Sequence, residues 1–311
     1  MKAIQFFAIT ALGAALFASC SNQEELATGS YPSDNLIRVT AGVNNDMTRG
    51  DEATTALTKD FSLTVVNNTN DKYSYANEIF SLSGGTEWTC SNKLLWQNLA
   101  TQVEIVALYP AADASTFSGV YSKEDKSYGT ITYSVNPDQS TAAEADDLLL
   151  YHNANFKPEK DLENGKLNIE FKHAFCRVDI EVTIGTEFNA TNGLAVNPIQ
   201  GISVGGTKTT AEIGFVSTEP SFTPKGDATS ITPTPRDFTP AASAANQAVA
   251  RYSCIVIPQT ADLNIVLHTS DREYEWTGTQ MALESGKQYT LQLNMTNKSA
   301  TARKFILRER K

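Results

Sequence analysis

The 311-residue chain carries a formal charge of −10 and a pI near 4.9. That balance excludes nucleic-acid binding, because phosphate recognition needs a basic surface, and suits an exposed, soluble protein. Its four cysteines, Cys20, Cys90, Cys176 and Cys254, show no C-x-x-C or metal-ligand spacing, which argues against a zinc site, a dithiol redox centre or a disulfide framework.

In chain order, Lys2 supplies one positive charge and Ala3 to Phe17 form an apolar run, followed by the small residues Ala18 and Ser19 and then Cys20. Such an order marks an export signal, too short for a spanning helix. The segment Phe17-Ala18-Ser19-Cys20 resembles the bacterial lipoprotein signal, with Phe17 where leucine is usual. The resemblance implies a signal peptide over residues 1–19 and acylation of Cys20, which becomes the new N-terminus. Residues 20–35 read as a polar tether. Their acidic start, Ser21 to Glu25, resembles the surface-export signal of Bacteroidetes lipoproteins.

Beyond Leu36 the dominant period is two, the mark of half-buried strands. Ile37, Val39, Ala41 and Val43 share one face; Phe61, Leu63 and Val65 make a second strand; Val103, Ile105, Ala107 and Tyr109 a third. Leu167, Ile169 and Phe171 are in phase on odd positions, and Cys176, Val178, Ile180, Val182 and Ile184 on even ones. A bulge near His173 is therefore expected. Further strands are expected at Tyr252 to Ile257, Leu263 to Leu267 and Tyr289 to Met295, with turns at Gly84-Gly85, Asn164-Gly165, Gly205-Gly206 and Ser285-Gly286. One short helix is expected at Ser140 to Leu149. Thr218 to Pro240, with five prolines, reads as a long surface loop. Short strands without alternating helices predict an all-β chain of antiparallel sandwiches. Some 290 residues after the signal favour two domains, 36–165 and 166–311, with the seam at Asp161 to Lys166.

The residues offer little chemistry. His152, His173 and His268 are the only histidines, and no H-E-x-x-H, G-x-S-x-G, P-loop or EF-hand pattern occurs. His173 reads as locally hydrogen-bonded, Asp146-Asp147 as an exposed turn, and Cys176 and Cys254 as small core residues. Trp88, Trp96 and Trp276 read as packing residues rather than a sugar-stacking platform. No catalytic set, metal or cofactor is expected.

Several segments together resemble the fimbrillin family of Bacteroidales, the lipoprotein pilins of type V pili. Leu95-Trp96 with Val103 to Pro110 matches its "W…AxYP" segment, Leu167 to Val178 its "F-x-H" strand, Ile255 to Gln259 its "IPQ" ending, and Ser285 to Leu291 its "GKxY" strand. The resemblance implies two transthyretin-like antiparallel β-sandwiches and other pilin subunits as partners. It places the chain at the outer membrane, through the lipid on Cys20, and then in a fimbria that serves adhesion to a host or bacterial surface ligand. It also implies cleavage by an arginine-specific protease after the first strand, and strand exchange between subunits. On these residues the removable strand carries Ile37, Val39, Ala41 and Val43. Cleavage falls at Arg49-Gly50, unless Arg49 is only a solvated loop residue. A thin candidate donor strand holds Phe305 and Leu307. A different class of reading stays open: a non-polymerising glycan-binding lipoprotein of a polysaccharide-uptake system, which would present Trp or Tyr side by side on an exposed face.

Overall fold

The computed structural model describes residues 31–43, 57–84, 87–111, 121–122, 124, 127–128, 131–141, 147–215 and 219–310. Cys20, Arg49 and Gly50 lie outside them. The chain is all-β. In chain order come β1 (Val39–Val43), β2 (Phe61–Val66), β3 (Tyr75–Ser83), β4 (Glu87–Cys90), β5 (Val103–Tyr109), β6 (Tyr121–Ser122), β7 (Ser127–Tyr128), β8 (Ile131–Ser134) and β9 (Leu149–Phe156). A one-turn helix, α1 (Pro158–Asp161), precedes β10 (Leu167–His173) and β11 (Cys176–Ile184). The rest is β12 (Gly201–Gly205), β13 (Lys208–Gly214), β14 (Ser221–Ala228), β15 (Thr234–Thr239), β16 (Ala248–Val256), β17 (Gln259–His268), β18 (Glu273–Leu283), β19 (Lys287–Met295) and β20 (Ala300–Glu309).

The first sheet, ordered β1-β10-β9-β5-β2-β3-β4, closes on itself where β1 meets β4. Its interior holds Phe61, Leu63, Ile105, Leu167, Ile169 and Phe171, all fully buried. Phe61 stacks on Phe80 and sets its edge against Trp88 and Phe171, at centroid separations of 5.2, 4.8 and 5.6 Å, geometries that aromatic quadrupoles favour.

The second core lies between a sheet ordered β15-β16-β11-β19-β20 and one ordered β12-β17-β18. Strand β11 is central: nine of its residues pair antiparallel with β16 and eight pair parallel with β19. Its even-numbered side chains, Cys176 to Ile184, are buried and its odd-numbered ones half-buried, as the period of two requires. Asn164 and Gly165 turn into β10 with φ of 50° and 77°, which asparagine and glycine tolerate best.

Several expectations are corrected. The phase change at His173 is no bulge within one strand: it is the crossing from the first sheet, where β10 pairs with β1 and β9, to the second, where β11 starts. Strand β10, which follows Asp161 to Lys166, thus belongs to the first sheet. In the other direction β8, from the expected first domain, pairs with β13. The pairs β1–β10 and β11–β19 are parallel, not antiparallel. The expected helix at Ser140 to Leu149 has residues 142–146 outside the described set, and Leu149 opens β9. Within the expected loop Thr218 to Pro240, the described residues contribute β14 and β15, each at the margin of its sheet, where proline is tolerated.

The two cores are not separate bodies joined by a linker. Val106 and Leu108 of β5, with Leu148 and Leu150, face away from the first interior and belong to the second apolar cluster. This explains the unbroken apolar run Ile105 to Tyr109, which is buried on both faces.

Candidate functional site

Strand β1 closes the first sheet with few bonds. Val39 to Val43 run parallel to Leu167 to Phe171, and Val39 also stands opposite Trp88 of β4. Just upstream, Ile37 N donates to Leu94 O at 3.0 Å, and Trp96 N donates to Asn35 O at 2.8 Å. Ile37 and Val39 are buried in the first core and Ala41 and Val43 pack half-buried against it, so the face expected of the removable strand does face inward. On the outer side Arg38 grips Asp34 through both nitrogens at 3.0 and 2.6 Å. The guanidinium holds the Asp34 carboxyl down at about 2. Taking β1 away would uncover Leu167, Ile169 and Phe171 and leave β10 and β4 each with an unpaired edge.

Phe305 and Leu307 sit on β20, which is antiparallel to β19 from Lys287↔Glu309 to Met295↔Ala300. Phe305 stacks on Tyr289 at 5.3 Å, whereas Leu307 is 53% exposed. The candidate donor strand is therefore already paired within its own chain.

Immediately after β20, Arg310 turns inward. Its Nη1 and Nη2 donate to Asp147 Oδ1 and Oδ2 at 2.9 and 2.7 Å, and Nη1 also donates to Phe175 O at 3.1 Å. His173 Nδ1 is 2.7 Å from the same Asp147 Oδ2. Asp147 is no exposed turn residue: its side chain is 11% exposed, against 6% for His173 and 5% for Arg310. The reading of His173 as locally hydrogen-bonded agrees with this geometry. Sequence inspection missed Arg310 because its partners lie 163 and 135 positions away and a terminal basic run looks like a solvated tail.

The outer face of the β15-β16-β11-β19 sheet carries a groove of about 400 Å³ lined by Arg177, Asp179, Glu181, Arg236, Arg251 and Gln288, among others. Its charges neutralise one another: Arg177 pairs with Asp179 at 2.8 Å, and Arg251 pairs with Glu181 and Asp237 at 2.9 and 2.7 Å. The first pair runs along β11 and the Arg251 pairs cross strands, on a half-solvated sheet face. Trp88 and Trp96 are in the first core and Trp276 packs against the second, so no tryptophan pair forms an exposed platform. His152 is paired with Glu104 at 2.8 Å and His268 with Glu273 at 3.0 Å. Among the described residues no cluster of histidine, cysteine or carboxylate could hold a metal ion. Burial pushes the Cys176 thiol up to about 12 and the Cys254 thiol up as well.

These features define an all-β, multi-sheet protein with one lightly held closing strand and no convergent set of reactive groups among the described residues. The Fimbrillin-like family profile matches residues 38–305, and the chain belongs to that family. Among solved structures it is similar to a protein from Bacteroides uniformis provisionally named for cell adhesion. The identity is 15% and the TM-score 0.60, over 88% of this chain and 98% of that one. A second such protein, from Bacteroides ovatus, shares 15% identity with a TM-score of 0.59, over 89% and 98% of the two chains. A fimbrial protein from Bacteroides vulgatus shares 13% identity with a TM-score of 0.52, over 88% and 99%. No curated protein matches the chain in sequence. Among the described residues, no helix is long and apolar enough to cross a membrane.

Proposed function

We propose that the chain is a subunit of a bacterial surface fimbria serving adhesion. In this reading it is exported as a lipoprotein through Cys20, held at the outer membrane, cut between Arg49 and Gly50, and joined to other pilin subunits by strand exchange. It needs no cofactor and performs no catalysis.

The observation that carries the reading is the position of β1. This strand and the residues just before it seat Val39 and Ile37 in the first core, yet β1 holds β10 through only five paired residues. Once it leaves, the exposed groove offers a row of backbone donors and acceptors beside an apolar floor. A strand from a neighbouring subunit satisfies both at once, which is the physics of β-strand addition. Three other sheet margins are poor acceptors: β15 carries Pro235 and a bulge, β14 carries Pro224, and β20 carries Arg303, Lys304 and Arg308. For Phe305 and Leu307 to act as donor side chains, β20 must first leave β19.

The test is digestion of the purified full-length protein with an arginine-specific protease, read by intact mass and size-exclusion chromatography. A cut confined to Arg49-Gly50, followed by growth into higher oligomers that the Arg49→Ala variant does not form, is the expected result. A cut that leaves a stable monomer, or assembly undiminished in Arg49→Ala, overturns the proposal.

A further inference from the structure

We infer that Arg310 is a latch that locks β20 to β19 and ties it to the crossing between the two sheets. Strand β20 borders its sheet on one side only, and most of its side chains from Thr301 to Lys304 are exposed. Such a margin frays from its unanchored end. Here that end is anchored. Arg310 N donates to Gly286 O at 2.7 Å, and the guanidinium forks onto both oxygens of Asp147, which His173 also holds.

The four groups come from four places. Asp147 precedes β9, His173 ends β10, Phe175 O lies at the crossing into the second sheet, and Arg310 follows β20. A bidentate guanidinium–carboxylate contact is both strong and directional. Because the cluster is nearly dry, removing Arg310 or Asp147 leaves the other's charge buried without its ionic partner. Release of β20 and loosening of the seam where His173 meets Ala174 are therefore one event, since β20 cannot peel away without stripping Asp147 of its guanidinium.

The latch stands whether or not the chain assembles into fimbriae. If it does, a latched β20 is withheld from neighbouring subunits, and this consequence rests on the function proposed above.

Hydrogen exchange read by mass spectrometry tests the latch, in an Arg49→Ala background that removes the proposed cleavage. Tryptic cutting at Arg303, Lys304 and Arg308 gives a second readout. In Arg310→Met, β20 amides should exchange at least about 100-fold faster while β11 and β16 amides keep their protection, and trypsin should cut within β20. Asp147→Asn should behave alike. Arg310→Lys, which keeps the charge but loses the fork, should fall between the two and serves if Arg310→Met does not fold. Protection of β20 equal to the parent in these variants, or equal loosening of β11 and β20, overturns the latch. Loss of β20 protection in Arg310→Met, with no gain in assembly when Arg49 is restored, leaves the latch standing and rules out β20 as a donor.

Discussion

If β1 is the lightly held strand, weakening its apolar face should open it alone. Replacing Ile37 and Val39 together by alanine removes five buried carbon atoms. At ~0.8 kcal/mol for each, the loss is about 4 kcal/mol. The five-residue ladder to β10 is untouched, so the missing energy comes off the seating of β1 and not its register. A loss of that size raises the open population of β1 by roughly 1,000-fold, at 1.4 kcal/mol for each factor of ten. Hydrogen exchange by mass spectrometry should show that increase for Val39 to Val43 and a smaller one for their partners Leu167 to Phe171. Amides of β11, between β16 and β19, should keep their rates. Thr40→Ala, which loses only an exposed hydroxyl contact to Asn168 Oδ1, is the control and should change β1 exchange by less than tenfold. The reasoning fails if the double variant exchanges uniformly through β1 and β11, because β1 would then be part of the global fold. A change in β1 below tenfold would refute it from the other side.

Phe61→Ala should cost about 3–5 kcal/mol, because the ring is fully buried against Phe80, Trp88 and Phe171. Urea unfolding followed by tryptophan fluorescence reports this directly, since Trp88 and Trp96 are in the same core. The buried thiols give a pH prediction. Burial raises Cys176 from 9.0 to about 12, so between those values the unfolded chain releases a proton that the folded chain retains. Stability therefore falls as pH rises through that window, by up to ~1.4 kcal/mol per pH unit. The urea midpoint of the parent should decline relative to Cys176→Ala from pH 9 upward, and parallel curves would count against the assignment.

Much of the fold was legible because most strands obey one rule at a time. Cys176 to Ile184 alternate cleanly, since one face of β11 meets the core and the other a half-solvated sheet surface. Where two rules compete, inspection fails. The prolines of 218–240 suggest a loop, yet the margin of a sheet tolerates proline and the strands survive there. The phase change after Phe171 is visible in sequence, but a bulge and a passage between sheets leave the same mark. Only the partners distinguish them: β1 and β9 on one side, β16 and β19 on the other. The inward face of Ile37 and Val39 was readable from period two, whereas the clasp of Asp147, His173 and Arg310 was not, because nothing local to any of the three reveals that the chain brings them together.

The exchange of β8 and β10 between the expected domains has a consequence for how the molecule can open. Val106, Leu108 and Leu150 on the first sheet, with Leu148 just before β9, seal the second core, so pulling the two units apart would expose apolar surface on both sides. Opening is easier at a strand whose removal uncovers one core only. Two strands meet that description in part, β1 and β20. Strand β1 and the residues just before it contribute two buried side chains, Ile37 and Val39, and five paired residues; β20 contributes nine paired residues, the Tyr289–Phe305 stack and the buried guanidinium. The difference favours β1 as the strand that leaves and β20 as the one that stays. Selective loss of β1 protection in mild urea, with β20 still protected, is the order this comparison demands, and the reverse order would contradict it.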